Sequence, residues 1–303
     1  MAANPELNRG AYAEIIDEMV RNCTAADVVT EHNVYQEGNP KNKPLIKRIV
    51  ADLLLPGSQM LGLEHLVELH EHARRKKPCL IVMEHYSNFD IPCFYELMER
   101  GGEEGKKVAD SIVSVAGVKL NEESGLVRAF TEIFTRVVLV PARSMENAAD
   151  PKERRDQAKR RAKLNIAAMK CLMKLRKEGR IVLLFPTGTR YRPWDPSTGR
   201  GLKETASYLK SYQYMVCIAI NGNTLLPNPA GSMSEDFPRR DVMIYTVGPV
   251  TKCSDVRRDA LKSHVGDVDP KQHIADHVMA RLAALHEQTE KLRIPLLREA
   301  GIT

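Results

Sequence analysis

A chain of 303 residues with 43% apolar and 28% charged side chains is long enough for one large domain, or one and a half. That balance excludes a disordered chain, and the longest apolar stretches, such as Met215–Ile220, fall far below the roughly 18 residues of a membrane span. The formal net charge of +6 favours acidic partners: phosphorylated substrates, an anionic membrane surface, an acidic carrier protein or nucleic acid.

In chain order, the first seventy residues read as mostly helical. Tyr12, Ile15, Ile16, Met19 and Val20 recur at helical spacing, and Gly38-Asn39-Pro40 breaks the pattern. A second helix covers Pro44–Leu55 and stops at Pro56-Gly57. A third carries Leu63, Leu66, Val67 and His70, and Arg74–Lys77 near its end suit the helix dipole. Residues 1–76 are therefore expected to form a small helical N-terminal domain or cap, and residues 77–303 the main domain.

From Lys77 onward, short apolar runs alternate with amphipathic helices. The expected strands are Leu80–Met83, Ser111–Val115, Val137–Val140, Ile181–Phe185, Met215–Ile220 and Val242–Val247. The expected helices are Ile91–Arg100, Ser124–Phe134, Pro151–Glu178, Gly201–Lys210 and Pro270–Leu292, the last with Ile274, Val278, Leu282 and Leu285 on one face. Such alternation predicts an α/β fold: a mixed, mostly parallel sheet covered by helices.

Two stretches carry chemistry. The run Leu80–Met83 ends at Glu84-His85, and Ser87 or Asn88 is placed to cap the following helix. Asp90 then falls in the first turn of that helix. Positions five apart lie roughly 140° around one continuous helix, too far for contact, but a strand-to-helix turn doubles the chain back. The Asp90 carboxylate can then reach the His85 imidazole, fix its tautomer and make it a base for a hydroxyl. A substrate hydroxyl can take the place of a serine nucleophile. The plainer alternative is a capped helix with an exposed loop histidine. No second His or Cys stands at ligand spacing, so no metal site is expected.

The second stretch follows Ile181–Phe185: Pro186-Thr187-Gly188-Thr189-Arg190-Tyr191-Arg192-Pro193. Gly188 permits close backbone approach, and guanidinium forks grip phosphate oxygens in pairs. Arg190 and Arg192 point the same way in an extended segment. Val137–Val140 likewise leads to Arg143. Ligands of open α/β sheets bind at the carboxyl ends of strands, so His85, Arg143 and Arg190 are expected to converge on one crevice as an anion site. Between Lys152 and Arg180 twelve basic residues face three acidic ones, with few aromatics to stack nucleic-acid bases. A solvated helix face or an acidic partner accounts for that run; nucleic acid is not expected.

Together these residues resemble a family. His85-Tyr-Ser-Asn-Phe-Asp90 resembles the HX4D motif of glycerolipid acyltransferases, and Phe185-Pro186-Thr187-Gly188-Thr189-Arg190 resembles their FPEGTR-type block, with Thr187 in the usual glutamate position. Arg190-Tyr-Arg192-Pro193-Trp-Asp195-Pro196-Ser-Thr-Gly199 is similar to the R-x-R-P-x-D-P-x-T-G stretch of the soluble, plastid-type glycerol-3-phosphate acyltransferases. Those enzymes also carry a helical N-terminal domain and lack membrane spans. The resemblance covers residues from about 77 to 230.

It implies that His85 deprotonates the glycerol hydroxyl, which attacks an acyl thioester directly, with Asp90 orienting His85. Arg190 and Arg192 would bind the glycerol phosphate, Arg143 would be a third ligand, and Gly188 would allow close approach. Where the family has a lysine–histidine pair, this chain has Arg143-Ser144. Where it often has Val-Pro, this chain has Val216-Cys217. Thr187 removes a carboxylate common in lysophosphatidate acyltransferases and favours glycerol-3-phosphate as acceptor. Lysophosphatidate is the alternative acceptor, and a non-catalytic lipid- or phosphate-binding protein the alternative class.

The donor would be acyl carrier protein or a coenzyme A thioester, with no cofactor. The basic helix would dock the carrier or touch an anionic membrane peripherally. A thioester attack needs an oxyanion donor, for which a backbone N–H near the His85 turn is the candidate. Six cysteines without a CxxC pair, and a terminus without a basic-then-apolar leader, fit a cytoplasmic or plastid-stroma-like soluble protein.

Overall fold

The computed structural model describes residues 9–141, 151–231, 233–264, 266 and 268–302. The N-terminal elements are helix α1 (Ala13–Arg21), strand β1 (Tyr35–Gln36), helix α2 (Lys43–Leu53), strand β2 (Gln59–Leu61) and helix α3 (Leu63–Arg74). Strand β3 (Cys79–Met83), helices α4 (Asp90–Glu99) and α5 (Glu103–Ser111), and strand β4 (Ile112–Gly117) follow. Next come α6 (Lys119–Glu122), α7 (Gly125–Thr131), β5 (Arg136–Leu139), α8 (Pro151–Glu178) and β6 (Ile181–Leu184). The last third holds α9 (Glu204–Ser211), β7 (Tyr214–Asn221), β8 (Leu225–Leu226) and β9 (Phe237–Pro238). It closes with β10 (Ile244–Val247), β11 (Thr251–Lys252), α10 (Cys253–Lys262) and α11 (Pro270–Glu299).

The main sheet runs β1-β5-β4-β6-β3-β7-β10-β2, with β11 also paired to β7. From β5 to β7 every neighbour is parallel, and β10 is parallel to β2. β1 on β5, and β10 and β11 on β7, are antiparallel. The fold is therefore α/β with a mixed, mostly parallel sheet. Strands covered on both faces read as unbroken apolar runs, and every residue of β3 and β6 is buried.

Alternate residues of β3 feed two cores. Ile81 and Met83 join one face, packed by residues of α1–α5 and α7; Leu80 and Val82 join the other, under α8–α11. The first 76 residues supply β1 and β2 at the sheet's two edges and place Met19, Ile46, Leu53 and Leu66 in the first core.

Several boundaries differ from the sequence reading. Helix α5 was hidden by Gly101, Gly102 and Gly105; a Cβ on Gly105 would lie 1.9 Å from the Met98 carbonyl oxygen, so glycine is what lets α5 approach α4. The expected helix Ser124–Phe134 contracts to α7, whose N-cap Ser124 Oγ accepts the Val127 N–H at 3.2 Å. Helix α11 continues past Leu292 through Pro295 to Glu299. The expected strand at Val242 begins at Ile244, which pairs with Asn221 at the end of β7; the Val242 carbonyl accepts Arg293 Nε at 2.7 Å instead.

Candidate active site

The chain leaves β3 at Met83, and the next residues diverge. Glu84 turns toward α11: its Oε2 accepts the Ile220 N–H at 2.8 Å and lies 2.9 Å from His286 Nδ1. The His85 ring stacks on Phe185, with centroids 3.9 Å apart and an interplanar angle of 13°. Phe185 packs on the first core just past β6, so the base candidate sits on an apolar shelf.

Asp90 organises the turn. Its Oδ2 is 2.8 Å from His85 Nδ1 and accepts the N–H groups of Tyr86 at 2.6 Å and Ser87 at 3.0 Å. Its Oδ1 accepts the Ser87 hydroxyl at 3.0 Å. Four donors thus converge on a fully buried carboxylate at the N-terminus of α4, where the helix dipole favours negative charge. A carboxylate in that role only accepts, so Nδ1 carries the proton and Nε2 keeps its lone pair. Among the described residues Nε2 has no partner.

Two expectations change here. Neither Ser87 nor Asn88 caps the helix in the ordinary way: α4 starts at Asp90, and Ser87 Oγ accepts the Phe89 N–H at 3.1 Å. The N–H groups of Tyr86 and Ser87, the nearest oxyanion candidates, are spent on Asp90.

The loop after β6 is tied to this turn, since the Tyr191 N–H donates to the His85 carbonyl at 2.8 Å. Gly188 has φ +63° and donates its N–H to the Phe185 carbonyl at 3.0 Å; a Cβ there would meet Leu202 Cδ1 at 2.6 Å. Thr187 is buried, and its hydroxyl donates to the Thr189 carbonyl at 2.6 Å.

The two arginines differ. Arg190 is only 7% exposed and forms an ion pair with buried Asp236, from the segment leading into β9. Arg192 is half-buried; its N–H donates to Thr198 Oγ1 at 2.8 Å, and its guanidinium has no partner among the described residues. Arg143 lies outside the described residues.

Behind the histidine a second acid–imidazole pair forms. The hydrogen bond to Glu84 raises the His286 pKa above its ordinary value, against an opposing effect of burial. The Tyr86 hydroxyl lies 3.5 Å from the same Nδ1, and burial pushes that phenol well above its usual range. Glu84, Asp236 and His286 were not singled out from sequence. Glu84 carried a signal in its place beside His85; Asp236 and His286 carried none, being distant in the chain. No three His, Cys, Asp or Glu side chains among the described residues gather as a metal site.

His85, Asp90, the Phe185 shelf and both arginines lie inside residues 65–234, the span matched by the family model described as Acyltransferase, which is more than half of the chain. The chain belongs to the acyltransferase family. No curated protein matches it. A histidine with a carboxylate on one nitrogen and a lone pair on the other has the chemistry to take a proton from a hydroxyl. Among the described residues no helix is long and apolar enough to cross a membrane.

Proposed function

We propose that this acyltransferase moves a fatty acyl group from an acyl thioester to the sn-1 hydroxyl of glycerol-3-phosphate. The observation that carries the reading is the His85–Asp90 pair, at 2.8 Å on Nδ1, with Nε2 unpartnered among the described residues. Its HX4D spacing and the arginine-bearing stretch Arg190–Gly199 support a glycerol phosphate acceptor, and Thr187 in place of glutamate favours glycerol-3-phosphate over lysophosphatidate.

In this mechanism His85 Nε2 takes the proton of the acceptor hydroxyl as its oxygen attacks the thioester carbonyl. Asp90 holds the imidazolium that forms. The tetrahedral intermediate collapses, the C–S bond breaks, and the imidazolium returns the proton to the departing thiolate. No acyl-enzyme forms. Arg192 binds the acceptor phosphate, Arg190 meets it only beside the Asp236 carboxylate, and Arg143 completes the set. Coenzyme A or acyl carrier protein delivers the acyl group in a cytoplasmic or stroma-like compartment, and no cofactor takes part.

Thiol release from purified protein tests this, with glycerol-3-phosphate and lysophosphatidate compared on both donors. Turnover with glycerol-3-phosphate alone is expected, and turnover with lysophosphatidate alone would reassign the acceptor. Arg192→Ala should raise KM for the acceptor with kcat little changed, because phosphate is held in ground and transition states alike. An unchanged KM would remove Arg192 from the site. Absence of thiol release with every pair would leave a non-catalytic binding protein.

A further inference from the structure

Helix α8 has three faces. Leu164, Ala168, Leu172 and Leu175 are buried against the sheet. On the outside, Ile166, Met169 and Met173 are 58%, 43% and 47% exposed. At about 100° per residue these three fall in one sector, roughly 100–160° from the direction of Ala168. Lys159, Lys163, Lys170, Lys174 and Lys177, all exposed, occupy the adjoining sector at roughly 180–240°. From Gln157 to Lys177 the helix has no acidic residue. Among the described residues only Lys174 of the five is held in an ion pair, with Glu178 at 3.7 Å.

Water gives no reason for such a stripe. Large apolar side chains standing in line beside a row of five exposed lysines mark a surface that is covered by something acidic outside and apolar beneath. We propose that the outer face of α8 lies on a lipid bilayer containing anionic lipid. Ile166, Met169 and Met173 would enter the acyl boundary, and the lysines would reach back to the headgroups along their aliphatic stems. The choice of a bilayer over an acidic protein rests on two features of the face. Five exposed lysines are spread in a row from Lys159 to Lys177 rather than clustered on one spot, a distribution suited to the diffuse charge of headgroups. The face is also one convex helix spanning roughly 27 Å between residues 159 and 177, and it offers a plane more than a groove. The inference does not depend on which acceptor the enzyme uses.

Vesicle co-sedimentation of the full chain tests it, using phosphatidylcholine alone and phosphatidylcholine with about 30 mol % phosphatidylglycerol. The wild type should sediment with the anionic vesicles and release as salt rises. The triple variant Ile166→Ser, Met169→Ser, Met173→Ser and the charge reversal Lys163→Glu, Lys170→Glu should each weaken vesicle binding by about tenfold or more. All five positions are exposed, so thermal unfolding should match the wild type, which excludes misfolding as the cause. Thiol release with a water-soluble short-chain thioester, without vesicles, should be unchanged in both variants, so failure on lipid is separable from failure of the catalytic reading. Wild type left in the supernatant, or sedimentation equal in all three proteins, would overturn the proposal. So would self-association through this face in sedimentation velocity, or binding of an acidic carrier protein that both variants lose, if either came without lipid binding.

Discussion

Arg190 and Asp236, 46 residues apart in the chain, form an ion pair in which both side chains are buried. Removing one partner of a buried pair leaves an uncompensated charge, at a cost of about 3–5 kcal/mol. Asp236→Ala should therefore lower the unfolding free energy by roughly that amount in chemical denaturation. Inorganic phosphate should restore more stability to this variant than to the wild type, since the freed guanidinium gains an anion. Equal response to phosphate in both proteins would place the anion away from Arg190.

Asp90 holds His85 and the backbone of Tyr86 and Ser87 at once. His85→Ala removes the base alone and should lower kcat by on the order of 10²–10⁴ with the fold retained. Asp90→Asn turns an acceptor-only group into one that also donates, disturbing both the tautomer and the turn, for a loss on the order of 10⁴. Steady-state thiol release reads both, and near-wild-type kcat in either variant would unseat the pair.

His286 supplies a pH signature. Its folded pKa is raised by Glu84, with Glu290 adding and Arg293 opposing, so the folded state holds that proton more tightly than the unfolded chain. The stabilisation is fully present below the ordinary imidazole value and is lost as pH rises through the raised folded value. The difference in unfolding free energy between wild type and His286→Gln should thus shrink from mildly acidic to alkaline pH. A difference that grew with pH would reverse the assignment.

Cysteine reactivity should follow burial. Burial pushes the thiols of Cys79, Cys93 and Cys253 up to about 12 and raises Cys217, so these four hold little thiolate near neutrality. Cys23 and Cys171 are half-buried. A thiol-specific reagent should modify at most these two in the folded protein and all six in denaturant. Fast labelling of a third would show that the sheet opens more readily than its packing implies.

The legible parts of this fold were those with a local cause. β3 and β6, buried on both faces, announce themselves as unbroken apolar runs, and α8 begins and ends where its sequence pattern does. His85 and Asp90 were readable as a pair because one turn brings them together. What stayed hidden depends on distance. Two-residue β1 and three-residue β2 are too short to show a period; β5 and β10 make them strands. Asp236 is marked by nothing except Arg190, and His286 meets Glu84 from 202 residues away. Ser87 reads as a helix cap because its hydroxyl is local; in the fold that hydroxyl accepts the Phe89 N–H, one residue ahead of α4, and donates to the buried Asp90 carboxylate.

The placement of β2 bears on how the chain is made. Leu55 donates its N–H to the Asp241 carbonyl, Asp241 donates to the Leu53 carbonyl, and β2 then runs alongside β10. During synthesis the residues around 53–61 emerge early and wait for roughly 180 more to follow before their ladder exists. Until then that segment has no strand of its own chain to pair with, and unpaired strand-formers are what associate with neighbouring nascent chains. Yield in a host should therefore respond to chaperone supply and growth temperature far more than the ΔG of the finished protein would suggest.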